Sequence, residues 1–525
     1  MKNNLRLNIL GGILVLAVLA VLIFQYGSAQ ACHQLETVYP VENQEVLAAP
    51  PLEIPDTIPA NFWTADQVPQ QVLEYPSVGT LHLYGNFAKP VSMVLFLSGD
   101  GGWNQGVKDM AKALAQDGQT LVVGIDIIHY YKILQTTTEK CLYPAGDMEN
   151  LSEFVQKTLQ LPDYHKPVLV GYSSGATLTY ALLCQAPIGT FRGGIVLGFC
   201  PEALIKKPFC EGSGKLTMQR TKNGKEFLFT DQPPPSAPME VLQGEIDQDC
   251  DCQKTVNFFE GVNNVKVYQL PKVGHGFSVR SRWLPQFKKA FAHMLSQTNR
   301  ATGKLQNPDE RRGELTPAGP SSWSKLPLYL TPAVEDDSPP LVLFVSGDGG
   351  WTGFDQQICN QLAIMHIPSI GLNSQSYFWK KKTPEQTVVD LSPVIRYYLQ
   401  SWGRKHLILA GYSFGANVVP FLLNRLPDDL RNQVSSVVLL SPDPKGDFEI
   451  HVAGMLGQSG GPYNVAEEVK HLQNIPVVCV RGVSEGNEME TALKDVQGVR
   501  FIKLPGSHHY NNDAVKVAST LSSLQ

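Results

Sequence analysis

The stretch KPVLVGYSSGA, Lys166 to Ala176, returns as KHLILAGYSFGA, Lys405 to Ala416. In each copy an apolar run ends in Gly-Tyr-Ser-x-Gly, and a helix-compatible stretch follows. Strand, tight glycine turn and helix are the setting of a nucleophile elbow, in which the glycines permit a strained turn that lifts a serine hydroxyl above a sheet. A bare G-x-S-x-G arises often by chance. The same context at two matching places makes Ser173 and Ser413 candidate nucleophiles, against the plainer reading of two structural Gly-Ser turns.

Outward from these motifs the two halves keep the same order of blocks. SGDGGW occurs at Ser98–Trp103 and at Ser346–Trp351, each time after an apolar run. LHLY (Leu81–Tyr84) answers LPLY (Leu326–Tyr329), and LVVGIDIIHYY (Leu121–Tyr131) answers IPSIGLNSQSYF (Ile367–Phe378). MEVLQGEID (Met239–Asp247) answers VVCVRGVSE (Val477–Glu485), and LPKVGHGF (Leu270–Phe277) answers LPGSHHY (Leu504–Tyr510). A repeat of this length is a whole domain. The short apolar runs alternate with stretches predicted as helices near 107–116, 176–184, 356–365 and 416–426. That alternation predicts an α/β class: two tandem α/β-hydrolase-like domains, each a mostly parallel sheet with helices on both faces. Active sites in such sheets lie at the carboxyl ends of strands, where every glycine-rich block falls.

The predicted layout is a targeting segment over 1–31, a Pro-rich spacer over 32–74, a first domain over 75–295, a polar Gly/Pro-rich linker over 296–321 and a second domain over 322–525. Lys2 and Arg6 precede an apolar run from Ile9 to Phe24, shorter than the ~20 residues of a full span. Ala29-Gln30-Ala31 fits a cleavage site. A cleaved signal, an uncleaved anchor and a lipidated Cys32 all carry the chain across a membrane, and a periplasmic location is expected. The chain has 525 residues with 43% hydrophobic and 17% charged residues and a net charge of −5. That excludes a basic footprint for nucleic acid. Beside Cys32, six of the nine cysteines lie in the first half and two, Cys359 and Cys479, in the second, an even split that permits disulfides within each half.

Serine at its free pKa needs a histidine base and a carboxylate to orient it, in the chain order serine, acid, histidine for this fold. The first half offers Asp247 and His275. The second offers Glu485 with His508 or His509, the former preferred. Asp247 and Glu485 share their offset from Gly244 and Gly482. The SGDGGW turns supply an oxyanion wall from Gly99, Asp100 and Gly101 and from Gly347, Asp348 and Gly349, with a second donor in the N–H of Ser174 or Phe414. Asp100 and Asp348 are read either as binding a cationic group or as fixing the turn. Tyr377, Phe378 and Trp379 beside Lys380–Lys382 are read either as an aromatic lip for lipid or as core. No cofactor and no metal is expected.

The second half, from about Ser322 onward, resembles the AcvB/VirJ family of bacterial virulence proteins. The resemblance is carried by FVSGDGGW, YFWKKKTPEQT, GYSFGANVVPFLLNRLP, DFEIHVAGMLG and LPGSHHY. It implies a periplasmic hydrolase of aminoacylated phosphatidylglycerol, notably lysyl-phosphatidylglycerol, acting at a membrane surface, with type IV secretion components as possible partners. The first half is more divergent, with GYSSGA and VGHGF. Alternatives are a periplasmic accessory or binding protein built on hydrolase folds, and a general carboxylesterase or thioesterase.

Overall fold

Strands Ser92–Leu97 and Thr120–Ile125 are buried at every position, because both faces of the sheet they belong to are covered. The computed structural model describes residues 63–222, 224–301, 323, 325–333, 339–451, 461–472 and 474–523. These lie within one compact unit that holds two large sheets. The first sheet contains β1 (Gln70–Tyr75), β2 (Gly79–Gly85), β3 (Ser92–Leu97), β4 (Thr120–Ile125), β5 (Val168–Tyr172), β6 (Gly193–Leu197), β7 (Met239–Gly244) and β8 (Val265–Leu270), in the order β1-β2-β4-β3-β5-β6-β7-β8. Strand β2 runs antiparallel to both of its neighbours, and the others are parallel. This is the strand order of the α/β-hydrolase fold.

The second sheet repeats it with one strand fewer among the described residues. It contains β9 (Leu328–Thr331), β10 (Leu341–Val345), β11 (Ser369–Leu372), β12 (Leu407–Tyr412), β13 (Val434–Leu440), β14 (Val477–Gly482) and β15 (Val499–Leu504), in the order β9-β11-β10-β12-β13-β14-β15. Only β9 is antiparallel to its partner.

Alternate residues of each central strand feed opposite cores. Leu95 and Leu97 of β3 join one cluster, while Val94 and Phe96 join the other. In β10, Leu343 and Val345 divide from Val342 and Phe344 in the same way. Each fully buried aliphatic or aromatic side chain contributes about 1.5–3 kcal/mol. The helices that matter to the sites are α1 (Gln105–Ala115), α2 (Pro144–Thr158), α3 (Ser174–Gln185), α4 (Leu284–Ala301), α5 (Gly353–Ile364), α6 (Ser374–Tyr377), α7 (Pro384–Ser401) and α8 (Phe414–Arg425).

The tryptophan of each SGDGGW turn is a wedge between turn and sheet. Trp103 lies against Gly124 of β4, where a Cβ would stand 1.9 Å from the indole, and Trp351 lies against Gly371 of β11, where it would stand 2.0 Å away. Alanine at Gly124 or Gly371 would therefore push the indole off its strand. This fit accounts for the glycines within LVVGI and SIGL.

Several expected boundaries shift. The first sheet begins at Gln70, inside the expected spacer, because β1 is an edge strand whose alternating exposure leaves no apolar run to read. Helix α4 extends to Ala301, into the start of the expected linker. The targeting segment, Cys32 and the rest of the linker lie outside the described residues, as does part of DFEIHVAGMLG. No helix of the described residues is long and apolar enough to cross a membrane. The first half holds two disulfides, Cys141–Cys210 and Cys200–Cys250. Cys359 and Cys479 are free and buried instead of paired, each enclosed in a different core layer of the second sheet. Tyr377, Phe378 and Trp379 are no lip: all three are buried in the core.

Candidate active site

Each candidate nucleophile sits between a strand and a helix at positive φ. Ser173 has φ 56° and ψ −122° between β5 and α3, and Ser413 has φ 53° and ψ −115° between β12 and α8. Non-glycine residues reach such angles only where the surroundings hold them. The glycines on either side make the crossing possible. A Cβ on Gly171 would lie 2.1 Å from the Gly175 carbonyl oxygen, and one on Gly175 would lie 2.3 Å from that of Ser98. Gly411 and Gly415 are equally closed in. The motif is thus required by close backbone approach.

In the first unit three side chains form a continuous relay. His275 Nε2 is 2.9 Å from Ser173 Oγ, and His275 Nδ1 is 2.9 Å from Asp247 Oδ2. The other Asp247 oxygen, Oδ1, accepts from the backbone N–H of Asp249 at 3.0 Å and of Cys250 at 2.8 Å. Gln243 Nε2 donates to Asp247 Oδ2 at 3.3 Å and to the Cys250 carbonyl at 2.6 Å. The Cys200–Cys250 disulfide ties this loop to the end of β6, where Gly198 lies against the His275 ring. The hydrogen bond to Asp247 raises the His275 pKa above the usual imidazole value, against an opposing effect of burial.

In the second unit the structure brings His508, not His509, to Glu485: His508 Nδ1 is 2.7 Å from Glu485 Oε1. Glu485 Oε2 accepts from Ser441 Oγ at 2.8 Å and from the Gly482 N–H, and Ser441 is also bonded to Tyr510 at 2.6 Å. No hydrogen bond joins His508 to Ser413. His508 is also the more open of the two histidines, its side chain 41% exposed against 18% for His275. Partial burial pulls the His508 pKa down, but Glu485, Asp348 and Asp443 together hold it above the usual value. Burial, and next the charge of His508, press His509 down to about 4. His509 Nδ1 faces the Tyr412 hydroxyl at 2.7 Å.

The SGDGGW turns close each site from the side. A Cβ on Gly99 would be 3.1 Å from Ser173 Cβ, and one on Gly347 would be 3.6 Å from Ser413 Cβ. Each turn is closed by a backbone hydrogen bond, Gly102 to Gly99 at 3.0 Å and Gly350 to Gly347 at 3.1 Å. Ser174 and Phe414 open α3 and α8, so their N–H groups lie at positively polarised helix ends. Asp100 and Asp348 are exposed, and Asp348 Oδ1 accepts from the Gly349 N–H at 3.2 Å. Asp247, Asp249 and His275 offer ligand atoms within 4.8 Å of one another. His275 Nδ1, the nitrogen that faces Asp247, is already hydrogen-bonded to Oδ2, so an ion there would have to replace the proton of that bond and break the relay.

The sequence family described as bacterial virulence protein (VirJ) matches residues 91–188 and 340–524, more than half of the chain. The chain belongs to the VirJ family. The VirJ match takes in Ser413, Glu485 and His508 in the second half, whereas in the first it includes Ser173 but stops short of Asp247 and His275. Among solved structures the chain is similar to TT1662 from Thermus thermophilus, at 14% identity over 44% of this chain and 98% of that one, with a TM-score of 0.30. It is similar to Est1E from Butyrivibrio proteoclasticus, at 12% identity over 44% and 99%, TM-score 0.28. It is also similar to an alpha-beta serine hydrolase homologue from Coxiella burnetii, at 14% identity over 43% and 97%, TM-score 0.29. No curated protein matches the chain. The fold assignment rests on strand order, and the family on the VirJ match.

The VirJ sites contain residues that motif reading overlooked. Tyr172 and Tyr412, the x of G-x-S, donate from their hydroxyls to the backbone carbonyls of His275 at 2.9 Å and His508 at 3.1 Å. They tie each nucleophile strand to its histidine loop, and they put His508 in the place of His275. The repetition of Gly-Tyr-Ser in both halves was the available signal. Ser441, at φ 51°, had none, since its partners Glu485 and Tyr510 are distant in sequence, and Gln243 sits within a strand with no motif to mark it.

Proposed function

We propose that this VirJ-family protein is a serine hydrolase that cleaves carboxylic esters by an acyl-enzyme route. The observation that carries this reading is the Ser173–His275–Asp247 relay, with both links at 2.9 Å. His275 takes the serine proton through Nε2 as the hydroxyl attacks the ester carbonyl, and Asp247 holds the ring and stabilises the imidazolium. The oxyanion forms between the N–H after the nucleophile and the SGDGGW turn. His275 then protonates the leaving alcohol, and water releases the acid. The second unit runs the same steps with Ser413, His508 and Glu485, once His508 swings onto Ser413.

For the substrate we propose an aminoacylated phosphatidylglycerol, lysyl-phosphatidylglycerol foremost, cleaved at the second site from the periplasmic membrane surface. Two things favour it: the VirJ match covers all three second-site groups, and Asp348 stands in the turn beside Ser413, suited to an ammonium group. The test is lysine release from the purified lipid by Ser173→Ala and Ser413→Ala proteins, with thermal melts to check folding. Loss of a nucleophile costs on the order of 10⁶ in kcat. Ser413→Ala should abolish lipid cleavage while Ser173→Ala retains most of it. The reverse pattern would move the lipid chemistry to the first site, and indifference to both changes would end the serine mechanism.

A further inference from the structure

The second oxyanion turn is backed by the first unit, whereas among the described residues the glycines of the first turn meet only their own unit. Glu153 of α2 is 3% exposed, and Gln375 of α6 is 2% exposed. Across the seam between the units Gln375 Nε2 donates to Glu153 Oε1 at 2.5 Å. Gln375 in turn lies against the turn itself: a Cβ on Gly350 would stand 3.0 Å from its Cβ and 3.0 Å from its Oε1. One position earlier, Ser374 fastens the start of the turn, donating from its hydroxyl to the Ser346 carbonyl at 2.6 Å and from its N–H to Ser346 Oγ at 3.0 Å. Glu149, one helical turn before Glu153, comes close enough to Gly349 that a Cβ there would meet its Oε1 at 2.7 Å. Two flanking contacts keep α2 in register: Trp379 Nε1 donates to the Leu161 carbonyl at 2.9 Å, and the Lys157 ammonium lies 4.5 Å from the Trp379 ring.

The first unit supplies its own comparison. Its Gly102 faces Asp126 and Ile128 of the same unit, and Ile128, which stands where Gln375 does, is 37% exposed.

We propose that Glu153 is a positioning residue for the second site: through Gln375 it holds the Gly347–Trp351 turn in the shape that receives the oxyanion, so that Ser413 works only with the first unit docked beside it. Burial raises the Glu153 pKa well above the usual carboxylate value, and the charges of Asp348 and Glu149 add to this. Glu153 Oε1 accepts from Gln375 Nε2 whether or not the carboxyl carries its proton. A glutamine can do the same.

The proposal rests on the reading of Ser413 as a nucleophile, and its test separates the two. Ester hydrolysis is measured for the full chain in a Ser173→Ala background, where only Ser413 turns over, and in a Ser413→Ala background, where only Ser173 does. Loss of one hydrogen bond that preorganises an oxyanion turn is worth about tenfold. Glu153→Ala should lower the Ser413-dependent kcat by about that factor with KM nearly constant, and leave the Ser173-dependent kcat unchanged. Glu153→Gln should retain activity. Amide exchange followed by mass spectrometry reads the same effect without chemistry: Glu153→Ala should speed exchange over Gly347–Trp351 and not over Gly99–Trp103. Unchanged exchange and unchanged kcat in Glu153→Ala would overturn the proposal, as would an equal loss at both sites or a Glu153→Gln protein as impaired as Glu153→Ala. Should Ser413 show no turnover even with Glu153 intact, the function reading fails and the exchange result alone decides the positioning role.

Discussion

Replacing Asp247 by asparagine should silence the first site without unfolding it, because the loop dictates which way the new amide points. In the parent protein Asp247 Oδ1 accepts two short backbone hydrogen bonds, at 3.0 and 2.8 Å. Oδ2 faces His275 Nδ1 at 2.9 Å and Gln243 Nε2 at 3.3 Å. If the asparagine NH₂ took the Oδ1 position it would meet two N–H donors. If it takes the Oδ2 position it meets one donor, at the longest of these distances. A buried donor left without an acceptor costs about 1–3 kcal/mol, so the second orientation wins by roughly one such penalty. The NH₂ then donates to His275 Nδ1, which fixes the proton on Nε2. An imidazole in that tautomer donates to Ser173 and cannot accept its proton. Loss of the carboxylate also removes the charge that stabilises the imidazolium. The same substitution in a serine protease triad lowers kcat about 10⁴-fold, or about 5.4 kcal/mol in the barrier.

The assay is p-nitrophenyl ester hydrolysis in a Ser413→Ala background, with thermal melts alongside. We expect a loss between about 10³ and 10⁴, a range set by the residual flipped asparagine. Asp247→Asn turnover within tenfold of the parent, in a protein that melts normally, would refute the relay. So would an equal loss on Asp249→Asn, whose backbone rather than side chain serves the site.

Three further outcomes follow from the same geometry. The raised His275 pKa means that its neutral, proton-accepting form is reached only at higher pH; the acid limb of Ser173-dependent kcat/KM should therefore have its midpoint above the ordinary imidazole value of about 6.5. By linkage this ion pair stabilises the fold fully below the unfolded imidazole pKa and loses that contribution as pH rises through the folded one, which a pH series of melts on the His275→Gln protein will report. Reduction of Cys200–Cys250, or serine at both positions, should lower Ser173-dependent turnover and cost about 2–4 kcal/mol of stability. Ser413-dependent turnover should be untouched, because the cysteines of the second unit are already free; equal sensitivity of the two sites, read by kinetics with and without reductant, would contradict the assigned role of the bridge.

The core of this architecture was legible because it is written in local patterns. Strands β3, β4, β5, β10, β12 and β13 carry unbroken apolar runs, and the glycine turns after β3, β5, β10 and β12 mark where the sites lie. Ser173 and Ser413 fell out of strand–turn–helix context. Asp247 and Glu485 emerged from chain order and from a shared offset, and the structure places each against a histidine. Features that depend on distant partners were not legible. Strand β1 alternates exposed and half-buried residues and looks like spacer until its pairing with β2 is known. Tyr377–Trp379 beside three lysines reads either as a surface lip or as core; burial in the core of the second sheet, with Trp379 bonded to the Leu161 carbonyl of the first unit, decides for core. Cys359 and Cys479 counted as a possible pair, but their cores lie on opposite faces of β10. The sequence preferred His508 to His509; its hydrogen bond to Glu485 agrees, and the Tyr412 hydroxyl reaches the His508 carbonyl just as Tyr172 reaches that of His275.

The two sites also solve one electrostatic problem in two ways, and the difference accounts for the Cys200–Cys250 bridge. A catalytic carboxylate must present one oxygen to the imidazole and anchor the other, or it would swing out toward solvent. Asp247 has a short side chain on a loop that turns back under it, so two backbone N–H groups take its second oxygen. That holds only while the loop keeps its shape, and the Cys200–Cys250 bridge closes it onto the neighbouring strand end. Glu485 is one carbon longer. Its second oxygen takes one N–H of its own loop, that of Gly482, and also reaches Ser441 at the end of β13, which is itself held by Tyr510 from the histidine segment. There the neighbouring strand is joined to the acid by side-chain hydroxyls, and no covalent bridge is needed. The first site thus depends on an oxidising compartment for its rigidity. The second depends on hydroxyls that no reductant affects, and on a neighbouring unit that keeps its oxyanion turn in place.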